Sequence, residues 1–144
     1  MANRKKMIKE LKVHVIPVLY EMNFTGRFPH FRRITPNRIN LLSFHFSSTN
    51  SGFSIDLANS SPDGLTTASG YNVKPTKLTA HDFKNMQPII VHPYLDGAER
   101  SLFRYRKAHL FDFNVTKKVC QHVIKSLHTA NEFWTKGTLD HHTK

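Results

Sequence analysis

Two stretches of strict alternation separated by a turn constrain this chain more than anything else in it. Between residues 38 and 47, Leu42, Phe44 and Phe46 alternate with Ser43, His45 and Ser47, and just beyond, Phe53, Ile55 and Leu57 alternate with Ser54, Asp56 and Ala58. A two-residue period puts one set of side chains on each face of a sheet, and Ser48-Thr49-Asn50-Ser51-Gly52 between them has turn chemistry. Residues 27–34 read as a preceding strand whose apolar positions are Phe28, Phe31 and Ile34, with Thr35-Pro36-Asn37 as the turn. Three consecutive antiparallel strands follow, with one apolar face for helices to cover and one polar face at least partly wet.

Helices are legible at both ends. Across residues 3–23, Met7, Ile8, Leu11, Val15, Val18, Leu19 and Met22 recur at three- and four-residue spacing, and Pro17 predicts a kink or restart near residues 13–17. Near the other end, Val115, Val119, Val123, Leu127, Ala130 and Trp134 mark one helical face, with Asn114 as its N-cap and Gly137 as its end.

Between these landmarks, residues 59–77 are rich in Ser, Pro, Gly, Asp and Thr and read as a long loop. Thr79 and Asp82 resemble a capping box before Phe83 and Met86. Residues 89–91 read as a short buried strand, and residues 102–113 as one or two more. The expected fold class is α+β: an antiparallel sheet of about four to six strands, with N- and C-terminal helices packed on one face. One domain spans 1–137, and 138–144 is expected to be a disordered tail.

At 144 residues the chain can bury one core without staples, and its 11 phenylalanines supply much of it. Cys120 is the single cysteine, so the chain can form no internal disulfide and no cysteine zinc cluster. That usage suits a reducing compartment. The apolar stretch 13–20 contains His14 and Pro17, is too short for a membrane span and lacks a small-x-small cleavage pattern, so a cytoplasmic protein without membrane association is expected.

The formal charge is +11, and it is unevenly placed. Residues 1–33 carry eight basic and two acidic side chains and residues 101–144 eight and three, whereas residues 34–70 carry one and two. If the ends lie side by side, their charges make a basic face that draws an anionic partner at low salt.

Catalytic chemistry is thin. None of the ten histidines falls into a paired metal-ligand spacing, and no Gly-rich phosphate loop or nucleophile elbow is present. No cofactor and no metal site are expected, and Cys120 sits at the apolar edge of its helix. One constellation has physical meaning: Arg27, Arg32 and Arg33 interleave with Phe28 and Phe31, and Arg104, Arg106 and Lys107 with Phe103 and Tyr105. Cations neutralise phosphates and exposed rings stack on unpaired bases. The six basic residues are therefore anion-binding candidates, and Phe31 and Tyr105 stacking candidates. The same alternation also describes a plain amphipathic edge strand defended by charge.

Met22-Asn23-Phe24, Phe31-Arg32-Arg33-Ile34, Ile39-Asn40-Leu41 and Gly52-Phe53-Ser54-Ile55-Asp56-Leu57 together resemble a bacterial family catalogued as domain of unknown function 4304, over roughly residues 5–60. Asn23 stands where that pattern has glycine. The resemblance implies a compact α+β domain, and neither an activity nor a catalytic residue.

Three functional expectations result. The first is a non-enzymatic binding protein whose basic surface meets nucleic acid or an acidic protein. The second is an immunity-type module that blocks a partner enzyme. The third is a small hydrolase or metal enzyme, which requires His45, His81, His92, Asp56 and Asp96 to converge.

Overall fold

The computed structural model describes residues 2–48, 51–89, 101–105 and 115–142. Its first helical segment is split in two: α1 (Ala2–His14) and α2 (Ile16–Glu21) meet at Val15, with Pro17 in the first turn of α2. There a missing N–H breaks no helical bond. The hydrogen bonds Val15 N to Leu11 O at 2.8 Å and Leu19 N to Val15 O at 3.1 Å carry the ladder across the junction. Asn23 then takes φ 71°, a left-handed conformation that asparagine tolerates and glycine favours.

The segment expected as one strand at 27–34 is a hairpin corner instead. β1 (Thr25–Arg27) and β2 (His30–Ile34) pair antiparallel around Phe28-Pro29. Gly26 permits this corner: it sits at φ 125°, and a Cβ there would lie 2.5 Å from the His30 carbonyl oxygen. β3 (Ile39–Phe46) and β4 (Gly52–Ser60) form the expected hairpin, in register from Ile39 opposite Ser60 to Phe46 opposite Phe53.

The expected loop 59–77 holds more order than its composition suggests. β4 continues through Ser60, and β5 (Leu65–Thr66) and β6 (Asn72–Val73) make a small separate hairpin. Short 3-10 turns follow at Pro75–Lys77 and Ala80–Asp82, and in the second the Thr79 N–H donates to the Asp82 carboxylate at 2.8 Å. β7 (Gln87–Pro88) pairs with the middle of β4 and β8 (Phe103–Arg104) with its start, and α3 spans Val115–Lys136. The expectations for residues 90–91, 106–113 and the Asn114 cap fall outside the described residues.

The fold is α+β, a six-stranded antiparallel sheet in the order β1-β2-β3-β4-β7 with β8 also on β4, and its terminal helices lie on one face. On that face Met7, Leu11, Val15 and Leu19 of the first helices and Val123, Leu127 and Trp134 of α3 close over Phe31, Leu42, Phe44, Phe53 and Ile55. The opposite face is divided. Ile39, Leu41 and Ala58 are roofed by Leu65, Leu78, Ala80 and Phe83, making a second, smaller core. Beyond that roof the face is polar.

Buried polar contacts fix α3 on the sheet. Asn40 Nδ2 donates to the Trp134 carbonyl at 2.7 Å, Asn59 Nδ2 to the Phe133 carbonyl at 2.8 Å, and Arg38 Nη1 to the carbonyls of Trp134 and Gly137. They supplement the backbone at the helix end, where the Phe133 carbonyl also accepts from the Gly137 N–H at 2.8 Å. The segment after Gly137 does not match the expected disordered tail over its described part. Asp140 is buried, its N–H donates to Asn59 O at 2.7 Å, and its carboxylate accepts from the Asn85 N–H at 2.9 Å.

Candidate functional site

The helical layer brings the two basic ends of the chain together. α1 and α3 touch, and Glu10 of α1 lies near enough to Cys120 of α3 to act on its thiol electrostatically. Arg4 reaches Phe46, its guanidinium carbon 5.4 Å from the ring centroid, whereas Phe24, beyond α2, packs on Trp134 near the end of α3 at 4.7 Å. The two long helices therefore run in the same direction across the sheet.

Their outward faces are cationic. Arg4, Lys5, Lys6, Lys9 and Lys12 of α1 and Lys117, Lys118, Lys125 and Lys136 of α3 are all exposed, nine cations against Glu10, Glu21 and Glu132 over the three helices. Glu10 is already paired with His14 at 3.0 Å. Neither long helix has an acidic residue in its first turn, and Lys117 and Lys118 sit in the first turn of α3. A cation at a helix N-terminus opposes the macrodipole and costs about 0.3–1 kcal/mol at low ionic strength. The aligned N-termini add to the positive field.

The arginine and aromatic constellation read from the sequence is taken apart by the fold. Phe31 and Tyr105 are buried in the main core, so neither offers a ring face to a base, and the stacking role expected of both is corrected. Burial also raises the Tyr105 phenol above its ordinary value, with Arg4 opposing the shift. Arg33 points to the helices, where Nε donates to Asn40 Oδ1 at 2.8 Å, Nη1 to Met22 O at 3.1 Å and Nη2 to Asn131 Oδ1 at 3.0 Å. Its guanidinium also lies over Phe24 and Trp134, at 4.9 and 5.8 Å. It is a cross-link, and the anion-binding role expected of it is corrected.

Arg32 faces the other way and clamps the Leu78 carbonyl through Nε at 3.2 Å and Nη2 at 2.9 Å. By register Arg27 and Arg104 share that face, opposite His30 and Gly52 respectively, and both are exposed. Four strand spacings separate β1 from β8, about 19 Å, so the two do not make one anion site. Arg106 and Lys107 lie outside the described residues.

The polar half of this far face gathers a cluster that alternation foreshadowed only in part. Ser43 stands between His30 on β2 and Asp56 on β4, and His45 is opposite Ser54. His30 Nδ1 and Ser43 Oγ are 2.7 Å apart, and His81, carried on the Ala80–Asp82 turn, places Nε2 2.9 Å from Asp56 Oδ2. The His81 ring meets those of His30 and His45 edge-on, with centroids 5.6 and 6.0 Å away. Burial, then His81 and Arg32, hold His30 below its ordinary value, with Asp82 opposing.

His45, His81 and Asp56 thus come together, while His92 and Asp96 lie outside the described residues. Among the described residues no three His, Cys, Asp or Glu side chains are arranged to hold a metal ion. His30 and Ser43 were missed as members of this cluster; the signal was present in their alternation but needed the β2–β3 register to be read. Cys120 is buried, and burial together with Glu10 pushes its thiol up to about 12, leaving it uncharged near neutral pH.

Two hollows of about 310 and 230 Å³ flank the end of α3; Asn59 and Asp140 in one, and Arg33, Arg38 and Asn40 in the other, are engaged in the contacts that hold that helix and the following segment. No helix among the described residues is long and apolar enough to cross a membrane. No family model, curated protein or solved structure matches the chain.

Proposed function

We propose that this chain is a non-enzymatic binding protein that receives an anionic macromolecule on its helical layer. The observation that carries the reading is the set of nine exposed cations on α1 and α3, faced by three glutamates over the whole layer. Lys117 and Lys118 at the start of α3 add their charge to the positive end of that helix. The buried thiol and the inward-turned Arg33 and Phe31 leave those groups to structure.

A salt titration tests the reading. Full-length protein is mixed at low ionic strength with a labelled mixed-sequence oligonucleotide, with heparin and with polyglutamate. Binding is expected to weaken steeply with salt, and Lys9→Gln with Lys125→Gln to flatten the slope by about one unit per lost contact. Lack of binding to all three polyanions at low salt overturns the reading.

A further inference from the structure

The stripe on the outer side of α1 and α2 says more than its charge does. Lys6, Lys9, Val13, Pro17 and Tyr20 follow one another at three- and four-residue intervals, and the hydrogen-bond ladder crosses the α1–α2 junction, so these residues share one outward face with Lys5 and Lys12 on its flank. Val13 is 56 % exposed and Tyr20 52 %, among the few large hydrophobic side chains the described surface leaves uncovered, and Pro17 between them is exposed as well. The interior of the same helices takes Met7, Leu11, Val15 and Leu19, so Val13 is not needed for the core, and Tyr20 touches it through an edge contact with Phe31 and a 3.3 Å hydrogen bond from its hydroxyl to Gly26 O.

A phosphate backbone satisfies lysines but gives Val13 and Pro17 nothing to bury. Protein interfaces combine an apolar, aromatic centre with a charged rim, and tyrosine is among the residues that dominate their energetics. The rings that were candidates for stacking on bases, Phe31 and Tyr105, are buried.

Resting on the anionic-partner reading, we infer that the partner is an acidic polypeptide segment whose apolar side chains cover Val13, Pro17 and Tyr20 while its carboxylates meet Lys5, Lys6, Lys9 and Lys12. The match is one of charge and of apolar area along a single stripe, about one helix face wide.

Three labelled probes of equal length test this against the full chain at low salt: a Glu/Leu peptide, a Glu/Ser peptide of the same charge, and an oligonucleotide. Fluorescence anisotropy is expected to rank the Glu/Leu peptide about tenfold tighter than the Glu/Ser peptide, with the oligonucleotide no better than the latter. Val13→Ser is expected to remove most of that difference and leave the Glu/Ser affinity unchanged, its fold checked by circular dichroism. Should Tyr20→Ser disturb packing through its edge contact with Phe31, at 6.4 Å between centroids, Val13→Ser still decides the matter. Equal affinity for the two peptides, or a tighter oligonucleotide, overturns the acidic-polypeptide assignment while the anionic-partner reading stands. Failure of every probe and of heparin removes both.

Discussion

Arg32 and Arg33 are adjacent in the chain and sit on opposite faces of β2, and the contrast between them is the contrast between the two sides of the sheet. Arg33 joins β2, β3, the end of α2 and α3 through three hydrogen bonds and two ring contacts. Arg32 holds one carbonyl, that of Leu78. On the helix side a continuous core runs from Met7 to Trp134, while on the far side a roof of short turns is held by seven buried apolar residues, the Arg32 clamp and the His81–Asp56 pair. One sheet therefore carries a cooperative face and a face that opens more easily, because local stability follows buried apolar contact and hydrogen bonding.

The largest expected effect breaks the cooperative side. Trp134 is fully buried, its indole N–H donates to Leu41 O at 3.2 Å, and Trp134→Ala is expected to lower stability by about 3–5 kcal/mol in urea titration. Arg33→Ala comes next, at about 2–3 kcal/mol, since Asn40 Oδ1, Asn131 Oδ1 and Met22 O lose a charged donor together; Arg33→Lys is expected to restore only part of it.

On the far side Leu78→Ala is expected to cost about 2 kcal/mol, at the lower end for such a truncation because the roof can settle. Hydrogen exchange should show its amides, in the range 61–86, losing protection while those of α1 and α3 keep theirs. Equal loss in the helices means that the two faces unfold as one unit.

The smallest effect is a pH dependence. His30 titrates below 6.5 in the folded chain because of burial, His81 and Arg32, with Asp82 working against them. As pH falls through 6.5 the unfolded chain takes up this proton first, so the stability His30 confers is complete above that pH and declines below it. His30→Gln is expected to flatten the fall in urea midpoint between about pH 7 and about pH 5. An unchanged slope assigns the dependence to other groups.

What could be read from the chain alone follows the same division. Alternation at Leu42–Phe46 and Phe53–Leu57 and the spacing of Val119, Val123, Leu127 and Trp134 are local periodicities, and they located β3, β4 and α3. The corner at Phe28-Pro29 was read through as strand because Arg27 to Ile34 keeps strand-like composition, and only the backbone of Gly26 reveals the turn. The far-face roof and the docked Asp140 escaped notice because Ser, Pro, Gly and Thr look like loop until Leu65, Leu78 and Phe83 find Ile39 and Leu41 across the sheet. For the arginines, composition named the residues and register decided their roles: opposite faces for Arg32 and Arg33, and about 19 Å between the strands of Arg27 and Arg104.

The helical layer has a further consequence in time. Because α1 is made early and α3 late, neither half of the cationic surface lies beside the other until the intervening sheet has been synthesised and paired. A partner that spans both halves can recognise only the finished molecule, whereas a segment docked on the α1–α2 stripe needs those helices alone; in either case, binding to the folded form and not to the unfolded one adds to stability by mass action.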